Sequence, residues 1–116
     1  MRPDAQCYLE QFCDTVTARA PATLPDAART AMLTDLTRTG VEPFDFGAAL
    51  RLSPRRTKAV MRELLQYHLL NIEAVRADDG RNELRLMPNR ETARWYARVL
   101  RARRRALPGM TRLGRG

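Results

Sequence analysis

At 116 residues, 44% of them hydrophobic and 29% charged, the chain is long enough for one modest core and too short for two. That balance belongs to a folding domain rather than a disordered segment. No apolar run approaches the roughly 18–20 residues of a membrane span, and the opening "MRPDAQCYLEQ" lacks the apolar core of a secretory signal. A cytoplasmic protein with no membrane association is expected. The formal net charge is +8 and unevenly spread: residues 1–50 hold four arginines against seven acids, residues 51–116 seventeen cations against six acids. The C-terminal half is therefore the one that would meet a polyanion. Only Lys58 is a lysine. Arginine forks well onto phosphate or guanine, but a GC-rich genome gives the same bias, so nothing rests on that choice.

After Pro3, "DAQCYLEQFCDTVTARA" sets Ala5, Tyr8, Leu9, Phe12 and Val16 on a helical stripe that is expected to run until Pro21. Cys7 and Cys13, six apart on it, lie about 240° apart around the axis and roughly 9 Å apart along it. They cannot pair with each other and read as two buried or half-buried thiols. "PATLP" is a linker. "DAARTAMLTDLTRTG" reads as a second helix with Ala28, Met32, Leu33 and Leu36 inward and Gly40 as its stop. In "VEPFDFGAALRL", Phe44, Phe46, Ala49, Leu50 and Leu52 fit a two-turn helix, with Gly47 where a second helix would come close.

Ser53-Pro54 is an N-cap followed by proline at the first helical position. The helix it opens should reach about Tyr67, with Val60, Met61, Leu64 and Leu65 inward and held against the second and third helices. His68 closes it. The period then changes: Ile72, Ala74 and Arg76 alternate with Glu73 and Val75, a turn falls at Asp78-Asp79-Gly80, and Leu84 and Leu86 alternate with Glu83 and Arg85. This is a β-hairpin ended by Pro88. Asn89 caps a last helix over 90–107, with Trp95, Tyr96, Val99, Leu100 and Leu107 on one side. Arg90, Arg94, Arg98, Arg101 and Arg105 form a stripe on the other. Residues 108–116 read as a flexible tail.

The expected fold is thus mainly α with a small β-hairpin: a single winged helix-turn-helix domain over 1–107 with flanking helices, the helix-turn-helix at about 43–68 and the wing at about 71–87. An α-helix fits the DNA major groove with its first residues toward base edges. The positive end of its dipole favours phosphate. The opening of the fourth helix offers Ser53, Arg55, Arg56, Thr57 and Lys58 for that task, with Arg62 one turn on. Arg81 at the hairpin tip is placed for the minor groove and Arg76 on its strand for phosphate.

"LSPRRTKAVMRELLQYHLLN" followed by "DDGRNELRL" resembles the recognition helix and wing of MarR-type winged-helix regulators, loosely over residues 24–107. The resemblance implies a dimeric repressor of double-stranded DNA, with Arg55, Arg56 and Lys58 on the recognition helix, Arg81 on the wing and the terminal helices building a homodimer. Other readings stay open: a plasmid- or phage-type DNA-organising or partition protein, or a winged-helix module binding protein or RNA. No catalytic role is expected, because no phosphate-cradling glycine loop, nucleophile set or carboxylate pair is visible. Neither metal nor cofactor is expected, since one His and two Cys in this arrangement suggest no site and two acids in a tight turn lack further oxygens.

Overall fold

The computed structural model describes residues 1–18, 20–35 and 42–115, with the side chains of residues 35 and 107–115 outside the description. It is mainly helical with one antiparallel hairpin. In chain order the elements are α1 (Pro3–Val16), α2 (Asp26–Asp35), α3 (Pro43–Ala49), α4 (Pro54–Gln66), β1 (Asn71–Arg76), β2 (Asn82–Met87) and α5 (Arg90–Arg115).

Helix α1 is the centre of the core. Its apolar stripe, Ala5, Tyr8, Leu9, Phe12 and Cys13, is wholly buried, and the helix packs on both α4 and α5. It ends at Val16, a turn earlier than the sequence suggests. The β-branched run Thr15-Val16-Thr17 weakens the helix there. The Thr17 hydroxyl donates back to the Cys13 carbonyl at 2.8 Å, a local bond that competes with helix continuation. Cys13 is buried and Cys7 exposed. Burial, reinforced by neighbouring Asp14, pushes the Cys13 thiol up, so it stays protonated and inert.

Two expectations for α2 are corrected. Ala28 faces solvent, and Leu33 and Thr30 are the residues turned inward; Leu36 and Gly40 lie outside the described residues. The helix packs on α5 rather than on α4, so α1 takes the place expected of the second helix beneath α4. Alanine's small, featureless side chain let the sequence fit either face of α2, whereas the large aromatics of α1 need the deepest site.

Helix α3 is a two-turn helix capped by Glu42, whose carboxylate accepts the Asp45 N–H at 2.5 Å. Phe46 is its anchor, meeting Tyr8 and Phe12 edge-on with ring centroids 5.0 and 6.2 Å away. The buried Tyr8 hydroxyl donates to the Pro43 carbonyl at 2.9 Å. Phe44 and Ala49 are exposed, because a short helix can turn only one side to α1. Gly47 is buried against α4.

Both α3 and α4 end in the same way. The C′ residue is Arg51 after α3 and His68 after α4, each in the left-handed region at φ 63° and 57°. After α4 the Leu69 N–H returns to the Leu64 carbonyl and the His68 N–H to the Leu65 carbonyl, both at 3.0 Å. After α3 the Leu52 and Arg51 N–H groups reach the Gly47 and Ala48 carbonyls, both at 2.9 Å. These are Schellman closures, and they set the direction of the chain into α4 and into the hairpin.

In the hairpin Ile72 lies opposite Leu86, Ala74 opposite Leu84 and Arg76 opposite Asn82. Leu86 and Met87 are buried at its base, but Val75 and Leu84 further out are exposed, so the hairpin projects beyond the core. Helix α5 does not stop at residue 107: it continues as one helix to Arg115, against the expectation of a flexible tail. Pro108 removes the bond its N–H would make to the Arg104 carbonyl, and the helix tolerates the loss of that one rung.

Candidate nucleic-acid interface

The face of α4 follows from its period. At roughly 100° per residue, Thr57, Val60, Met61 and Leu64 fall on one side and all four are buried. Directly opposite lie Arg55, Ala59, Arg62 and Gln66, with Lys58 toward the flank away from Arg56, all exposed. Among the described residues, Arg55, Lys58 and Arg62 form no ion pair. The outward face of α4 therefore presents three uncompensated cations, a small central residue and an amide.

The sequence-derived candidates sort differently once placed. Ser53 is the N-cap, its hydroxyl oxygen accepting the Arg56 N–H at 3.2 Å, which leaves its proton free to donate outward. Arg56 lies on the flank facing α1 and pairs with Asp4 at 2.7 Å while remaining exposed. Thr57 is corrected. It is completely buried, pressed against Gly47 of α3, and its hydroxyl finds no partner among the described residues. It cannot reach a ligand. The first turn of α4 abuts α3 at that position, so the helical period outweighs the residue's polarity. Ala59 and Gln66 are what the sequence reading missed. The signal was present in the spacing of positions 55, 59, 62 and 66, which is that of one helical face, and Gln is a side chain that can fork onto adenine.

The hairpin is held to the end of α4 by one side chain. The Asn89 carboxamide accepts the Thr92 N–H at 3.0 Å, and the Thr92 hydroxyl accepts the Asn89 N–H at 3.0 Å, a reciprocal cap on α5. The Asn89 amide also donates to the His68 carbonyl at 3.0 Å and to the Asn71 side chain at 3.1 Å. The Thr92 hydroxyl donates to the Leu69 carbonyl. The end of α4, the start of β1 and the start of α5 thus meet at one hydrogen-bonded node.

At the far end, Gly80 supplies the left-handed residue of the turn at φ 84° and donates to the Ala77 carbonyl at 2.9 Å. Arg81 follows it, 85% exposed, its guanidinium 3.6 Å from Asp79. Arg76 is exposed on β1. Arg85 pairs with Glu83 at 2.7 Å.

The acids of the N-terminal half answer particular cations. Arg103 bonds Asp14 at 2.9 Å and Glu10 at 3.1 Å, and Arg104 bonds Asp26 at 2.5 Å. Asp14 also accepts the Tyr96 hydroxyl at 2.6 Å. Burial pushes the Asp14 carboxyl up, but the Arg103 and Tyr96 hydrogen bonds outweigh it and hold the group below the usual carboxylate range. No cluster of metal-ligating side chains occurs among the described residues, and none of their helices is long and apolar enough to cross a membrane. No protein-family model matches the chain, and a search of curated proteins finds no match.

Proposed function

We propose that this chain is a sequence-specific, double-stranded DNA-binding transcriptional regulator of winged helix-turn-helix type. The observation that carries the proposal is the outward face of α4: Arg55, Lys58 and Arg62 without acid partners among the described residues, surrounding Ala59, on a helix whose opposite face is in the core. A helix so presented offers a groove-sized surface with cations at its positive dipole end. Arg55, Ser53 and Lys58 meet the first base edges and phosphates, and Arg62 and Gln66 extend the contact along the helix. The hairpin, fixed to the end of α4 through Asn89, brings Arg81 toward the adjoining minor groove and Arg76 toward the backbone. This is the arrangement that the resemblance to MarR-type regulators implies.

The same resemblance implies a homodimeric repressor joined by its terminal helices. The alternative of a protein-interaction module using the apolar α3 is weakened by Phe46, which packs on Tyr8 and Phe12 instead of facing outward.

Ala59→Glu tests the proposal without touching the core. A carboxylate at the centre of the α4 face should weaken binding to duplex DNA by tenfold or more, about 1.4 kcal/mol, while the thermal melt is unchanged. Undiminished duplex binding would remove α4 as the reading helix.

A further inference from the structure

The outward side of α5 is a second cationic surface. At the same helical period, Arg90, Arg94, Arg98, Arg101 and Arg105 lie opposite the buried side of the helix, where Thr92 and Tyr96 sit in the core. Arg103 lies two turns beyond Tyr96 on the same side of the helix and Arg104 on a flank, and it is these two that the acids of α1 and α2 neutralise. Of the stripe, only Arg94 has an ion pair among the described residues, with Glu91 at 2.9 Å.

A face that merely keeps a helix solvated mixes signs, because opposite charges three and four residues apart stabilise a helix and like charges destabilise it. Here the pairs 90/94, 94/98, 98/101 and 101/105 are all like charges. Arg90 and Arg94 also stand at the helix N-terminus, where cations are disfavoured. Local rules broken in one direction along a whole face, with Arg94–Glu91 as its one ion pair among the described residues, point to a function outside the chain. Helix α1 packs on both α4 and α5, so the two cationic faces belong to separate helices with α1 between them.

We propose that the arginine face of α5 is a second DNA-binding surface that grips the sugar-phosphate backbone without reading sequence, separate from the face on α4. The proposal rests on the duplex-binding reading for its choice of polyanion, but not on α4 being the reader. The occupant is DNA rather than an acidic protein because the cations are spread along about four helical turns with a single acid among them, which suits an extended, uniformly charged rod.

The test uses the full chain with Arg94, Arg98, Arg101 and Arg105 all changed to Gln, a random-sequence duplex and a titration of salt. Each phosphate contact contributes about 0.9 to the slope of log K against log salt. The variant should therefore lose up to about 3.6 from that slope and bind the random duplex at least tenfold more weakly. Its melting temperature should be equal or higher, since like-charge repulsion is relieved. Unchanged slope and affinity, or a lower melting temperature, would overturn the proposal. So would α5-dependent binding to vesicles of phosphatidylserine and phosphatidylcholine with no effect on DNA. Loss of sequence preference in Ala59→Glu with random-duplex binding retained would support two separate surfaces. Full specific binding in Ala59→Glu, abolished by the α5 variant, would remove the α4 reading and leave this one standing.

Discussion

The angle at which α4 is presented depends on how closely α3 approaches it, and Gly47→Ala perturbs that contact directly. A Cβ at position 47 would lie 2.1 Å from the Thr57 hydroxyl oxygen, 2.7 Å from its methyl carbon and 3.0 Å from its Cβ. Two of the three staggered positions on the Thr57 Cβ face the glycine, and threonine fills two positions with heavy atoms. Every Thr57 rotamer therefore leaves at least one heavy atom in the way, so the helices must move apart. Overpacking of this kind costs roughly 1–3 kcal/mol, against which alanine gains about 1 kcal/mol over glycine in helix propensity. A net loss of up to about 2 kcal/mol is expected. With an m-value of about 2 kcal/mol/M, the urea midpoint should fall by up to about 1 M. Thr57→Ala alone should be nearly neutral, because the lost methyl is offset by removal of a buried hydroxyl without a partner. On that background the two Cβ atoms still approach to 3.0 Å, so Gly47→Ala should cost less than in the native chain, a coupling of about 1 kcal/mol in the double-mutant cycle. Equal destabilisation in both backgrounds would refute the contact.

Three further outcomes follow from named contacts. His68→Gly relieves a left-handed residue and should raise stability by roughly 0.5 kcal/mol, since removing the αL strain exceeds the entropy added to the unfolded chain; a lower denaturation midpoint would contradict the closure of α4. Asp4→Asn breaks an exposed pair worth under about 1 kcal/mol, so the melt should hardly change while duplex binding tightens as Arg56 is released toward DNA; weaker binding would show that the pair positions Arg56 rather than holding it back. Because the Asp14 carboxyl is held below its usual range in the fold, its contribution is present above the unfolded pKa and is lost as pH falls through the lower folded value. Acid titration of Asp14→Asn should thus show a shallower loss of stability below about pH 4 than the native chain, and superimposable profiles would show that the group contributes nothing.

Elements were legible in the sequence where one pattern dominated. Ser53-Pro54 marked the start of α4, the change from a period near four to a period of two marked the hairpin, and Gly80 marked its turn. Partners were less legible. Alanine-rich α2 carries little information about which neighbour it will meet, so its place beside α5 emerged only from packing. Thr57 looked like a surface residue because it stands among cations, yet its place in the helical period put it beneath α3. The charge asymmetry between the two halves of the chain was visible, but not its division of labour. Acids of α1 and α2 hold Arg56, Arg103 and Arg104 and leave the other cations of α4 and α5, Arg94 apart, without an ion pair among the described residues. That sorting depends on which helices pack together, which no local pattern encodes.

The most direct test of the central claim is selection of bound duplexes from a random DNA pool at near-physiological salt, with a single-stranded RNA pool in parallel. A base-reading α4 should enrich a duplex motif, with half-sites about one helical turn apart for a homodimer, that is lost when Ala59→Glu is used in the same selection. Enrichment from the RNA pool alone, or a duplex motif that survives Ala59→Glu, would contradict it.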